Sequence, residues 1–226
     1  KIIADSDLLS RRVYKYSDLS YFLFKEYLEN TGGKDLDHLT QENYYQSLGA
    51  HTMGYKPLSR FAKSKIVPSE NDTYWRMQQV HGYVHDMGAA MEDNIGGHAG
   101  LFSNANDVAK MMQMYLQNGY YGGKRYFSKE TMDAFNTCYY CKDDVRRGVG
   151  FDKPQLGTVG PTCGCVSMES FGHSGFTGTL TWADPESGII YVFLSNRTFP
   201  TADNRKLISS DLRTRIQEVI ENAVIP

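Results

Sequence analysis

After Gly148 the apolar residues of this 226-residue chain stop recurring every 3.6 positions and begin to alternate. Helices are therefore expected before that point and strands after it, an α+β arrangement of a helical region and an antiparallel sheet packed by a C-terminal helix. In the first region, Leu19, Phe22, Leu23, Tyr27 and Leu28 place a helix over 18–30, and Thr31-Gly32-Gly33 stops it. A second helix is expected over 34–47, closed by Gly49. Residues 50–98 show neither period, and Pro57, Pro68 and five glycines interrupt them, which predicts long loops with short helical turns. Asn104 followed three residues later by Asp107 resembles a capping box, and Val108, Met111, Met112, Tyr115 and Leu116 carry a helix to about Gln117. A shorter helix is expected over 128–136.

The alternating segments are 170–176, 179–183 and 188–196, the last two joined by a turn at Asp184-Pro185-Glu186-Ser187-Gly188. Residues 204–222 form an amphipathic helix with Leu207, Ile208, Leu212, Ile216, Val219 and Ile220 on one side. The chain reads as one partial domain over 1–226, mainly helical and loop over 1–147, with the sheet and C-terminal helix over 148–226. Apolar content of 41%, with 11 Phe and 16 Tyr, describes a folded protein rather than a disordered one. Twenty-four basic against 26 acidic residues leave no basic excess for nucleic acid. The longest apolar run, 189–194, is far short of the ~20 residues that cross a bilayer.

Specific motifs stand on this frame. Tyr16-Ser17-Asp18 precedes the first helix, Gly97-His98-Ala99-Gly100-Leu101-Phe102-Ser103 precedes the third, and Phe171-Gly172-His173-Ser174-Gly175-Phe176-Thr177-Gly178 opens the hairpin, with Leu194-Ser195-Asn196-Arg197 after it. In order and spacing they resemble the serine β-lactamase and penicillin-binding-protein superfamily, in its class C branch of β-lactamases, D-alanyl-D-alanine carboxypeptidases and esterases. Val84-His85-Asp86 is closer to a bacterial subgroup often fused to a β-N-acetylglucosaminidase. The resemblance runs from about Val13 to Val224. It implies a β-lactamase/transpeptidase-like fold, an exported enzyme of the periplasm or cell envelope, and a peptidoglycan peptide or small acyl substrate. It implies no cofactor and no metal.

Acyl transfer needs a nucleophile, a base, donors for the oxyanion and an acid for the leaving group. The resemblance gives Tyr16, His173 and the Phe176 N–H catalytic parts, and Asp18, Ser174 and Gly175 parts in binding substrate. A tyrosine of pKa ~10 is a poor base at neutral pH, so Tyr16 acts only beside cationic groups that stabilise its phenolate or relay its proton. His173 stands where many relatives have Lys, and holds a substrate carboxylate or tunes Tyr16. Phe176 matches an oxyanion donor, and Gly175 lets substrate approach the strand. Asp18 replaces the usual Asn, exchanging an amide donor for a carboxylate that only accepts when ionised. Thr201 follows Phe199-Pro200 where class C lactamases commonly place Asn, which favours a peptidase or esterase over a lactamase.

The family's nucleophile is the Ser of a Ser-x-x-Lys motif upstream of the Tyr motif. No serine here has Lys three positions later, and Ser59, with Lys63 at four, lies after Tyr16. The sequence opens at Lys1 without Met and has only 15 residues before Tyr16, so the reading is a C-terminal portion whose nucleophile and first strands lie in a missing N-terminal part of the same domain. Alone, the segment is expected to be inactive, with unpaired sheet edges that invite association. The alternative is a non-catalytic peptidoglycan-binding or structural module of a wall-degrading glycosidase. His81 and His85 stand four apart, but the residues between them do not form a helix, which favours loop packing over a metal pair. His98 reads as an architectural or rim residue. Cys138, Cys141, Cys163 and Cys165 admit disulfides, a four-thiolate zinc site or free thiols.

Overall fold

The computed structural model describes residues 2–11, 13–143, 145–155 and 160–224; Lys1 lies outside them. Helix α1, Leu19–Gly32, stops where Gly33 adopts φ 66° and its N–H bonds Glu29 O at 2.8 Å. Helix α2, Leu36–Thr40, is capped by the Asp35 carboxylate accepting from His38 N and runs on into one wide turn, Gln41–Tyr45. Beyond it Tyr45, Leu48, Ala50 and Met53 bury themselves against Met114 of α4, Ala105–Leu116. At the start of α4, Asn104 accepts from Asp107 N at 2.9 Å, but the reciprocal half of a capping box does not form. The Asp107 carboxylate turns instead to Thr52 N and Oγ1 (2.8 and 2.6 Å) and to Lys110, tying the loop after α2 to the helix. Helix α5, Lys129–Asn136, is capped by Ser128 as its sequence indicates.

Residues 50–98 depart from expectation. Strands β1, Pro68–Asp72, and β2, Gln78–His81, form an antiparallel hairpin with a bulge at Pro68/Glu70, followed by the short helix α3, Met87–Met91. The inward residues of β1 are Ser69 and Asp72, satisfied by hydrogen bonds rather than by apolar packing, so no hydrophobic alternation marks the strand. A second small hairpin, β3 (Tyr120–Tyr121) and β4 (Lys124–Arg125), follows α4.

The main sheet has the order β5-β6-β7, with β5 Phe171–Ser174, β6 Leu180–Ala183 and β7 Ile190–Phe193, all antiparallel. Each strand is shorter than the alternation implied, and Gly175 and Phe176 fall in the turn after β5 rather than within it. One sheet face, with Phe171 and Ala183, packs on Met112 of α4; the other, with Leu180, Trp182 and Tyr191, packs on Ile216 and Ile220 of α7, Leu212–Val224. Gly172 sits opposite Trp182, and a side chain there would collide with the indole and the Thr181 carbonyl. The free side of β5 is closed at one point, where Asp152 exchanges two backbone hydrogen bonds with Gly172 (2.8 and 3.2 Å). Among the described residues β7 has no partner on its outer side.

The single C-terminal helix expected over 204–222 is two helices, α6 (Lys206–Ser209) and α7, broken where Asp211 takes φ 50°. Within α7 the buried face is narrower than the apolar stripe: Ile216 and Ile220 pack on the sheet and Gln217 and Glu221 are buried, whereas Val219 is 69% exposed. The cysteines pair as Cys138–Cys141 and Cys163–Cys165.

Lys153 is buried, its ammonium donating to Asn136 Oδ1 (3.1 Å) and Glu169 O (2.8 Å), and burial pushes its pKa down to about 8. An unfolded lysine titrates near ~10.4, so the unfolded state binds more protons between the two values and stability rises with pH there. From pH 7.5 to 9.0 the gain is expected to be about 1 kcal/mol, before tyrosines ionise to any large extent. Chemical denaturation across that range should show the rise in the parent chain and a flat profile in Lys153→Met; a parent profile that stays flat would refute the assignment.

Candidate active site

Tyr16 ends the extended lead-in to α1, and Asp18 is the N-cap residue of that helix. Ser17 does the capping, its Oγ accepting from Leu19 N at 3.2 Å, while the Asp18 side chain makes no cap bond and lines the adjoining cavity. His173 projects from β5 on the sheet face that carries Phe171, and its ring centroid lies 6.4 Å from that of Tyr16. Tyr16, Asp18 and His173 border one cavity of about 500 Å3. Tyr115 and Leu116 of α4, Met132 and Phe135 of α5, and Phe151 give it apolar lining, beside the polar Asn118, Thr131, Asp133 and Asn136.

Arg147 and Asp152, which the sequence reading missed, do not border the cavity but contact residues that do. The Arg147 guanidinium lies 5.2 Å from the Tyr16 ring centroid, pairs with the Asp152 carboxylate and donates from Nη1 to His173 Nε2 at 3.2 Å. Asp152 Oδ2 is 4.0 Å from the same imidazole nitrogen. The available signal was the stretch Arg146-Arg147-Gly148-Val149-Gly150-Phe151-Asp152, where two glycines allow a tight return that brings cation and carboxylate together.

Guanidinium has no acceptor, so the Arg147 contact makes His173 Nε2 an acceptor. Nδ1 then carries the proton and donates to Ser174 O at 2.7 Å. Long-range 15N–1H correlation spectra at pH 8 should show the Nδ1–H tautomer in the parent chain and a mixture in Arg147→Ala; a parent imidazole protonated at Nε2 would contradict this geometry.

The electrostatics favour a protonated Tyr16. Burial raises its pKa, the carboxylates of Asp18 and Asp152 raise it further, and the opposing pull of Arg147 does not overcome them. Burial likewise pushes the Asp152 carboxyl up, against the stabilising charges of His173 and Arg147.

Ser174, Gly175 and Phe176 do not border the cavity. Ser174 ends β5 opposite Leu180, and Gly175 N donates to Thr179 O at 2.8 Å. A side chain on Gly175 would collide with the Thr179 hydroxyl, so the hairpin turn itself requires this glycine, whatever approaches from outside. Phe176 is 64% exposed and lies between His85 and Arg197. His98 is buried, bonded to Asp86 at 2.8 Å and stacked under Phe22 of α1, and it forms part of the cavity wall. Burial opposes ionisation of Asp86, but bonds from Ala89 N and His98 hold its pKa below the ordinary value. His81 bonds Ile66 O and His85 faces Glu70, so the two imidazoles do not converge. Among the described residues, no group of three or more His, Cys, Asp or Glu is arranged to hold a metal.

The family model described as Beta-lactamase matches residues 7–214. A protein of Escherichia coli O157:H7 named "Putative D-alanyl-D-alanine carboxypeptidase" is 36% identical over 205 residues, covering 84% of this chain and 47% of the relative. A protein of the same name from Salmonella enteritidis is 31% identical, covering 85% and 47%. The chain thus spans about half the length of these relatives. Among solved structures, a β-lactamase of Mycobacterium bovis superposes with a TM-score of 0.63 at 18% identity, covering 92% of this chain and 64% of that one. A penicillin-binding protein of Bacillus halodurans does so with a TM-score of 0.59 at 16% identity, covering 88% and 56%. Matched along most of its length by the family model and folded like these structures, the chain belongs to the Beta-lactamase family.

Proposed function

We propose that this chain supplies the tyrosine side and the sheet side of an acyl-transfer site whose serine nucleophile lies outside the 226 residues, and that the parent protein is a cell-envelope hydrolase of D-alanyl peptides. The observation that carries the proposal is the meeting of Tyr16 and His173 at the mouth of a 500 Å3 cavity. The absence of any Ser-x-x-Lys in the sequence supports an external nucleophile.

In this reading, Tyr16 is the proton relay. Its raised pKa keeps the hydroxyl protonated at neutral pH, suited to delivering a proton to the leaving group. Taking a proton from the nucleophile requires an added cation, the part a Ser-x-x-Lys lysine would play. Arg147 fixes the His173 tautomer, and its guanidinium, shared with Asp152, is the cation that would hold a substrate carboxylate. The Phe176 N–H is assigned as an oxyanion donor, and Asp18 as an acceptor for a substrate amide or a lysine of the nucleophile segment.

The relatives' names favour D-alanyl peptides over β-lactams. The Thr201 hydroxyl is also engaged within its own turn, donating to Asp203 at 3.0 Å. No described helix is long and apolar enough to cross a membrane. Assayed side by side, the parent protein should release D-alanine from an acyl-D-alanyl-D-alanine peptide at a kcat/KM at least tenfold above that for a chromogenic cephalosporin. The reverse preference would reassign it as a lactamase.

A further inference from the structure

We infer that a second pocket, beside the β1–β2 hairpin, binds a neutral N-acetylated pyranose unit of a glycan. It encloses about 180 Å3 and shares no lining residue with the candidate active site. Pockets that enclose drug-sized ligands run to ~300–1,000 Å3, so this one takes a single ring and leaves the rest of its ligand outside. Trp75 and Tyr83 border it, 44% and 52% exposed, together with the carboxamide residues Gln78 and Asn94. Val80, buried in β2, and Ala90 of α3 complete the apolar lining.

The pocket holds no free charge. Arg76 is its one charged lining residue, and the guanidinium donates to Asp72 Oδ2 (2.9 Å), Glu70 Oε1 (2.7 Å) and the carbonyls of Val84 and His85 (2.7 and 2.8 Å). Asp72 is committed in turn, accepting from the amides of Tyr74 (2.9 Å), Trp75 (2.8 Å) and Arg76 (3.0 Å). A phosphate or carboxylate therefore finds no unpaired cation here, and a cationic ligand would meet the guanidinium that already lies over the Trp75 ring, 5.4 Å from its centroid. The same bonds fix the turn that bears Trp75, so stacking on it costs little ordering entropy.

The lining offers aromatic surface and neutral hydrogen-bonding groups. Among the described residues, the Trp75 indole N–H, the Tyr83 hydroxyl and the Gln78 carboxamide bond no protein atom, and the Asn94 side chain uses only Oδ1, which accepts from Val84 N at 3.3 Å. A pyranose matches this set: its ring C–H bonds carry partial positive charge toward an electron-rich aromatic face, and its rim hydroxyls pair with carboxamides. An acetamido substituent adds a methyl for the lining of Val80 and Ala90, and an amide with which a carboxamide pairs as both donor and acceptor. An apolar protein surface would instead leave those carboxamides unpaired on burial. The two sites are linked through α3: Asp86 at its N-cap bonds His98 in the wall of the active-site cavity, whereas Ala90 and Asn94 lie at and beyond its other end. That the sugar belongs to the strand bearing the D-alanyl peptide rests on the acyl-transfer reading; the preference of the pocket does not.

The test is a 15N–1H titration of the 226-residue chain with the tetramer of N-acetylglucosamine, beside cellotetraose, which lacks the acetamido groups. The chain has two tryptophans, and Trp182, 1% exposed in the main sheet, serves as the internal control. The Trp75 indole and the Ala90 and Asn94 amides should shift saturably with the N-acetylated sugar while the Trp182 indole stays in place, and cellotetraose should bind more weakly. Trp75→Ala should raise the dissociation constant read from the Ala90 amide at least about tenfold. Gln78→Ala, at an exposed strand position where folding is not at stake, should raise it about threefold. No shift at Trp75, equal affinity for the two sugars, an unchanged constant in both variants, or shifts confined to the cavity of Tyr16 and His173 would each overturn the assignment. No D-alanyl peptide enters the titration, so its outcome and that of the acyl-transfer assays are independent.

Discussion

Tyr16→Phe should lower acyl transfer by the parent protein about 10²- to 10⁴-fold, the loss typical of a general acid/base group. The substitution removes one hydroxyl that makes no hydrogen bond to the described residues and keeps the ring that faces Arg147 and His173. Because Tyr16 is 59% exposed, thermal stability should change by no more than about 0.5 kcal/mol. Substrate binding should also persist, since the cation belongs to Arg147. The kinetic signature is therefore a fall in kcat with little change in KM. Steady-state kinetics and a melting curve on the same preparation check both halves, and unchanged turnover would remove Tyr16 from the mechanism.

The legible parts of the fold were those written in apolar period and capping chemistry. Helices α1, α4 and α5 carry both, and β5–β7 alternate because each sheet face packs on a helix, Phe171 and Ala183 toward α4, Leu180 and Trp182 toward α7. The hairpin β1–β2 was not legible, since Pro-Ser-Glu-Asn-Asp is polar and its buried residues are held by Tyr83 O, Arg76 and local amides. The C-terminal helix was read as continuous because no local signal announces the left-handed Asp211, and its stripe was misread at Val219 because the polar Gln217 and Glu221 take buried positions of the same helix.

The site divides in the same way. Tyr16 and His173 were found because their motifs resemble a family's, and the structure brings them together. Arg147 and Asp152 sit in an irregular segment where charged residues ordinarily face solvent, and only the fold shows that they meet against His173. Ser174, Gly175 and Phe176 were assigned by the same resemblance, and none of them borders the cavity. Ser174 ends β5, and Gly175 and Phe176 lie in the turn after it.

Intact-mass analysis of the 226-residue chain after incubation with benzylpenicillin bears most directly on the proposal that Tyr16 and His173 serve a serine held elsewhere. The chain contains no serine with Lys at the third following position. Ser17 is committed to capping α1, and Ser195 Oγ donates to the Thr177 carbonyl at 3.2 Å, leaving neither an activated hydroxyl. The mass of the chain should therefore remain unchanged. The parent protein should gain one penicilloyl group per molecule, and peptide mapping should locate it on a Ser-x-x-Lys serine outside these residues. A stoichiometric adduct on the 226-residue chain itself would contradict the proposal.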